Sequence, residues 1–346
     1  MMTVVRIQRE DFLRTLETVR PGTTPKDISE QSSCVAFKDG FAHAFNEDVY
    51  CRAKSGLPKE WVAAIPFTPL VTILSKLGEA ELLVELTKSE ITLEGKGRKT
   101  GIRAEHQITM PYEAVPLPDK GTWWKAPADL SDAITLVQDC AGTDADEFAL
   151  TCIHLHPKFI EASDKAQIAR HRIRTGLPEP VMLLKESLSA ATSLDIRKLA
   201  LTDNWFFMKT GNNALYAVRK NDGNYLDLSP YLKVQGEKVT LPKGLKEASE
   251  KAEIFSGEDK DNNNILVTLQ PGRIKIKGTS DSGWHRESKK VRYKGPSMSF
   301  LIPPKLLREI LDRNNEVYLN DGRLVVDGGH WCYVSVLVMP DERNGE

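Results

Sequence analysis

No stretch of the chain approaches 18 consecutive apolar residues, so the sequence offers no membrane-spanning helix. Cysteine is scarce and scattered: 5 in 346 residues, at Cys34, Cys51, Cys140, Cys152 and Cys332, with no CxxC. An odd, dispersed set argues against a disulfide frame or a zinc ribbon and fits reduced thiols. Charge of one sign is also missing. Lys+Arg number 47 against 48 Asp+Glu, a formal net charge of -1, which excludes a simple basic coat for nucleic acid but not positive charge confined to one surface. The opening MMTVVRIQRED lacks a basic segment followed by an apolar run, which predicts a cytoplasmic rather than a secreted protein.

Catalytic signatures are absent too. There is no GxxxxGK[ST], no GxGxxG opening a helix, no HExxH and no GxSxG. His154 and His156 would share one face of a strand, but no third metal ligand is identifiable nearby, so they read as solvent-facing histidines. His171 and His285 have no Ser or Cys partner at motif spacing, and DKDNNN (259–264) lacks the spacing of an EF-hand loop. Trp123-Trp124 and Trp284-His285-Arg286 could stack on bases, although anchoring a core or linker is the commoner role of such aromatics. The expectation is a non-enzyme with no metal and no cofactor.

What is present is a repeat. A strand, a short amphipathic helix and three further strands recur about six times, at a period of roughly 60 residues. The helices read REDFLRTLETV from Arg9, TPLVTILSKLG from Thr68, DLSDAITLVQD from Asp129, MLLKESLSAAT from Met182, KGLKEASEKAEIF from Lys243 and PPKLLREILDR from Pro303. Prolines introduce most of them, among them Pro66, Pro127, Pro180, Pro242 and Pro303-Pro304; proline suits a first helical turn, where its missing N–H costs nothing. Each helix carries one apolar stripe, such as Phe12, Leu13, Leu16 and Val19, or Leu306, Leu307, Ile310 and Leu311. Between helices run β-branched or alternating segments such as AELLVEL, WFFMKTG and WCYVSVLVM. They are joined at turn signals such as Asn212-Asn213, Asp321-Gly322 and Gly328-Gly329. Two repeats make a domain of ordinary size. The Pro-rich VPLPDKG (115–121) and polar LKVQGEK (232–238) suggest three α+β domains over 1–120, 121–236 and 237–346.

A chain of this length with a triplicated pair of β-α-β-β-β units resembles the bacterial DNA polymerase sliding clamps, the β subunits of replicative polymerases. The resemblance covers nearly the whole chain. It rests on the order and spacing of WVAAIPFTPLVTILSKLGEAELLVEL, IEASDKAQIA (160–169), DGNYLDLSPYL (222–232), SFLIPPKLLREIL, DGRLVVDGG and VSVLVMP. Asp164 keeps the family residue, but Lys165-Ala166-Gln167 stand where the family has Gly-His-Arg, and an acidic DERNGE (341–346) follows Met339-Pro340. These departures imply a divergent member, and a phage or mobile element is a source that fits them.

The resemblance implies a DNA clamp fold and a head-to-tail homodimer closing a ring around duplex DNA. Such a ring is a processivity factor that tethers the replicative polymerase and the clamp loader through short linear motifs. Candidate DNA-facing residues on the helices are Arg9, Arg14, Lys76, Lys185, Lys243, Lys246, Lys305 and Arg308; phosphate contacts without base contacts would permit sliding. The positions matching the family's partner groove are Ala149, Ser163, Ile168, Leu226, Tyr231, Leu232, Leu337, Met339 and Pro340. Those matching its dimer interface are Ile102, Ile254 and Phe255. The competing expectation is a protein-binding scaffold built on the same repeated unit.

Overall fold

The computed structural model describes residues 4–233, 235–256, 264–320 and 322–338. One pattern of strand, helix and three strands occurs in six successive repeats. The first is β1 (Val4–Gln8), α1 (Arg9–Val19), β2 (Cys34–Lys38), β3 (Phe41–Phe45) and β4 (Val49–Lys54). The second is β5 (Ala63–Pro66), α2 (Phe67–Lys76), β6 (Glu81–Leu86), β7 (Glu90–Gly95) and β8 (Arg98–Arg103). The third is β9 (Trp124–Lys125), α3 (Leu130–Gln138), β10 (Cys152–His156), β11 (Phe159–Ser163) and β12 (Gln167–Arg172). The fourth is β13 (Val181–Leu184), α4 (Lys185–Ser189), β14 (Ile196–Leu201), β15 (Trp205–Thr210) and β16 (Leu215–Arg219). The fifth is β17 (Glu237–Thr240), α5 (Leu245–Glu253), β18 (Ile265–Gln270), β19 (Arg273–Ser280) and β20 (Gly283–Lys290). The sixth is β21 (Met298–Ile302), α6 (Pro304–Arg313), β22 (Glu316–Asn320), β23 (Arg323–Asp327) and β24 (Trp331–Val336). Among the described residues no helix is long and apolar enough to cross a membrane.

The helices form where period and punctuation agree. Pro66 caps α2; Pro303 caps α6, and Pro304 occupies its first turn, where a missing N–H leaves no bond unmade. Phe12, Leu16 and Val19 of α1 and Leu307 and Ile310 of α6 are buried, as their spacing requires. The fourth helix differs from the sequence expectation. Met182–Leu184 belong to β13, where Leu184 pairs with Cys152 and Met182 with His154, and α4 begins only at Lys185. An apolar run that can complete a ladder is better satisfied there than in a first helical turn. After Ser189 the chain tightens into a 3-10 turn over Ala190–Ser193.

Two compact units divide the chain. The first comprises Met1–Gln138, Cys152–Lys158 and Ile173–Asn224; the second comprises Asp139–Thr151, Phe159–Arg172 and Tyr225–Glu346. In the first unit one antiparallel sheet runs β5-β2-β3-β4-β16-β15-β14-β9, and a four-stranded sheet runs β1-β6-β7-β8. Its core includes Phe45, Tyr50, Tyr112, Trp205 and Phe207. Helix α1 packs on α2, and α3 on α4. In the second unit β11, β12, β24, β23, β22 and β17 lie side by side, and a four-stranded sheet runs β20-β19-β18-β21. There α5 packs on α6 and on β19 and β20.

The last strands of the repeats behave alike. In the first unit β4 pairs with β16, with Val49 opposite Val218. In the second unit β12 pairs with β24, with Ile168 opposite Val334. Each join links the final strands of two repeats. The two remaining final strands, β8 and β20, end their sheets: among the described residues each has a strand neighbour on one side only.

Candidate partner groove and DNA-facing residues

The described candidate groove residues lie in the second unit. Ser163 ends β11 opposite Ile168 of β12, and Ile168 lies opposite Val334 of β24. The turn between β11 and β12 is held by Asp164, whose Oδ1 accepts from the N–H groups of Ala166 (3.0 Å) and Gln167 (2.6 Å). Lys165 takes a positive φ of 75° there, and its ammonium pairs with Glu147 in the 3-10 stretch that carries Ala149. Gln167 Oε1 accepts from the Tyr333 hydroxyl at 2.8 Å, tying the turn to β24. Beneath it Ile168, Leu228, Val325 and Val334 form a buried apolar cluster, with Tyr225, Leu232, Tyr318 and Cys332 packed against it. Burial pushes the Cys332 thiol up to about 11, so it stays a neutral lining group.

Of the expected groove residues, the structure brings Ser163, Ile168 and Leu232 to this cluster. Leu226 and Tyr231 stand out from the same chain segment, 52% and 44% exposed, with the Arg323 guanidinium 5.9 Å from the Tyr231 ring. Exposed apolar side chains beside a buried apolar floor are what a short peptide needs for anchorage. Leu337 is buried, its N–H donating to the Gly322 carbonyl at 2.6 Å. Met339 and Pro340 lie outside the described residues, as does the DERNGE tail. Sequence reasoning missed Leu228, Val325 and Val334. Alternation along LDL and RLVVD marks them as inward, but only the fold shows that they meet.

Two further features lie near this cluster. A cavity of about 360 Å³ opens between the β11–β12 turn, the end of β24 and the start of α6, lined by Gln167, Ser335, Val338, Pro303 and Lys305 among others. Beside the cluster, on the same face of the sheet, the fully buried Glu161 pairs with Arg170 at 2.5 Å, and the guanidinium also stacks 4.0 Å from the Phe159 ring and reaches Ser229. This pair and its hydrogen bonds hold the Tyr225–Leu232 segment against β12; removing one partner would leave a buried charge uncompensated.

The expected DNA-facing residues fall into two kinds. Arg14, Lys76, Lys243 and Lys305 are exposed; Arg14 lies 3.4 Å from Asp11, and Lys305 3.7 Å from Glu309. Lys185 is half-buried, and Lys246 pairs with Asp312 at 2.5 Å. Arg9 and Arg308 are committed inward. Arg9 donates to the carbonyls of Leu74 (3.0 Å) and Glu79 (2.9 Å), satisfying acceptors at and beyond the end of α2. Arg308 forms a two-pronged pair with Glu253 at 2.6 and 3.1 Å, linking α6 to α5. The Glu253 carboxylate raises the Arg308 pKa, so the guanidinium stays charged throughout.

Ile102 on β8 is buried opposite Ile91 of β7. Ile254, at the end of α5, is 72% exposed, and Phe255 beside it packs against Gly283 of β20. The aromatic and histidine candidates have plainer places. Trp124 donates Nε1–H to the Thr175 carbonyl at 2.9 Å, and Trp123 packs edge-on against Phe207 at 6.3 Å, so both act as anchors. The rings of His154 and His156 are 6.2 Å apart on one strand face. Among the described residues no group of three or more His, Cys, Asp or Glu side chains could hold a metal ion.

This architecture is the DNA clamp fold, a mixed α+β arrangement of three similar pairs of β-α-β-β-β units. The sliding clamp (DNA polymerase III subunit beta) of Bartonella birtlesii, solved with griselimycin bound, matches with a TM-score of 0.82 at 15% identity, covering 98% of this chain and 100% of that one. The DNA polymerase III beta subunit of Thermotoga maritima matches at 0.80 with 14% identity over 99% and 100% of the two chains. The sliding clamp of Bacillus subtilis matches at 0.78 with 16% identity over 98% and 100%. No protein-family profile and no curated protein matches the sequence.

Proposed function

We propose that the protein is a DNA sliding clamp, a non-catalytic processivity factor that encircles duplex DNA as a head-to-tail dimer and tethers a DNA polymerase and its loader. One observation carries the reading. Four of the six final strands pair within the chain, β4 with β16 and β12 with β24, leaving β8 and β20 unmatched among the described residues. Pairing β8 of one copy with β20 of a second would repeat the same join and cover both edges. Because the two edges are different strands, the contact is heterologous, and it closes into a ring when two copies complete the rotation. The exposed Ile254, with Phe255 beside it at the end of α5 next to β20, supports this reading, while Ile102 lies on β8 with its side chain buried.

The three pairs of repeats are read as domains over 1–120, 121–236 and 237–346. The exposed cations Arg14, Lys76, Lys243 and Lys305 supply phosphate contacts without base readout. Leu226, Tyr231 and Leu232 above the Ile168–Leu228 floor receive an apolar linear motif from the polymerase or loader, and the adjoining cavity can take a second side chain of the same motif. Retention on DNA is the test. Loaded protein should stay on nicked circular DNA through gel filtration and run off once the circle is linearised. Equal loss from both topologies would overturn the reading and favour a scaffold on the same fold.

A further inference from the structure

The sheet β20-β19-β18-β21 has two unlike faces. Toward α5, Ile274, Ile276 and Gly278 are buried, and the charged groups are matched: Glu287 pairs with Lys251 at 3.5 Å and Lys289 at 2.6 Å. The opposite face carries Arg273, Lys275 and Lys277 on β19 and Arg286 and Lys290 on β20, with Ser, Thr, Gln and apolar residues between them. Among the described residues no acidic side chain stands on that face. Arg286 lies directly opposite Lys277, and Lys290 directly opposite Arg273. Like charges across a strand pair destabilise a sheet. The corresponding face of β1-β6-β7-β8 avoids this: Glu81 pairs there with Arg6 at 3.1 Å, and Lys99 with Glu94 at 3.4 Å.

Trp284 stands on the same cationic face, 62% exposed, with the Arg286 guanidinium 5.9 Å from its ring. We propose that this face binds single-stranded nucleic acid, the cations of β19 and β20 tracking its phosphates and Trp284 stacking on a base. Alternate residues on a strand are roughly 6.7 Å apart, a spacing close to that of phosphates along an extended single strand. An open four-stranded sheet with an aromatic is a known geometry for splayed bases, and stacking tolerates any sequence. An acidic polypeptide would satisfy the cations but would leave the exposed indole without a role. The proposal does not depend on ring closure, because a short linear strand needs no encirclement.

Anisotropy of a short fluorescein-labelled oligo-dT, titrated with the full-length protein at several salt concentrations, tests it. Lys275→Ser with Lys277→Ser should weaken binding by about tenfold or more and lower the log–log salt slope by about 1.4, near 0.7 for each phosphate no longer neutralised. Trp284→Ala should weaken binding several-fold with the slope unchanged. Lys26→Ser with Lys59→Ser, both exposed elsewhere, should bind as the parent does. Parent-like binding by both the lysine pair variant and Trp284→Ala would overturn the proposal. So would tighter binding of poly-glutamate than of oligo-dT at matched charge, with Trp284→Ala leaving both unchanged, which would assign the face to an acidic protein. A protein that is monomeric yet binds oligo-dT through this face would fail the clamp reading while sustaining this one.

Discussion

At the scale of single residues, His43 shows how burial sets a titration. Its ring lies in β3, stacked 4.3 Å from Tyr112, with Nδ1 3.0 Å from the Tyr50 hydroxyl. Desolvation, reinforced by the positive charge of Arg52, lowers its pKa to about 4. An unfolded histidine titrates near 6.5, so between those values the unfolded chain binds the extra proton. Stability from this group is therefore complete above about pH 6.5 and is lost as pH falls toward 4, by on the order of 3 kcal/mol. Urea midpoints should fall between about pH 7.5 and about pH 5, and His43→Gln should flatten that dependence. A variant with the parent's full pH dependence would remove His43 as its source. The same scale shows why candidate cations were only partly legible. In sequence Arg9 and Arg308 look like Lys76: a base on the polar side of an amphipathic helix. What separates them is partners remote in the chain, the carbonyls of Leu74 and Glu79 for Arg9 and the carboxylate of Glu253 for Arg308, and no local pattern encodes those.

Elements were far more legible, because their signals are local. The segment REDFLRTLETV coincides with α1, and PPKLLREILDR differs from α6 only by its capping proline. Strands followed from alternation bounded by turn residues; Asn213, with φ 64°, and Gly322, with φ 74°, turn the chain where the sequence signals turns. The fourth helix starts later than its apolar run predicts because Met182–Leu184 fit either period, and only the ladder to Cys152–His154 decides between them. Close approach between elements is less legible still. Gly278 of β19 sits directly under α5, and a β-carbon there would run into the Ala252 carbonyl oxygen. Gly278→Ala should lift the helix from the sheet and cost about 1–3 kcal/mol, read as a lower urea midpoint with an unchanged m-value. An unchanged midpoint would mean that α5 shifts freely and does not pin the sheet.

For the whole molecule, the decisive feature is an incompleteness: six equivalent final strands, of which β8 and β20 lack, among the described residues, the partner the other four have. An unprotected strand edge invites pairing, so a protein that keeps two must either blunt them or use them. Ile254, 72% exposed at the end of α5 beside β20, is a large aliphatic group that the proposed subunit contact would cover. It contributes nothing to the buried core, so Ile254→Asp should leave the far-UV circular dichroism and the melting profile of the folded chain nearly unchanged. At micromolar concentration the parent should weigh twice the 38.7 kDa of one chain by light scattering, and Ile254→Asp should weigh 38.7 kDa. The same variant should lose retention on nicked circles, because topological linkage requires closure and not merely folded halves. A variant that remained dimeric would place the subunit contact away from α5 and β20. A parent that was itself monomeric would leave β8 and β20 as true edges and detach this fold from the function proposed for it.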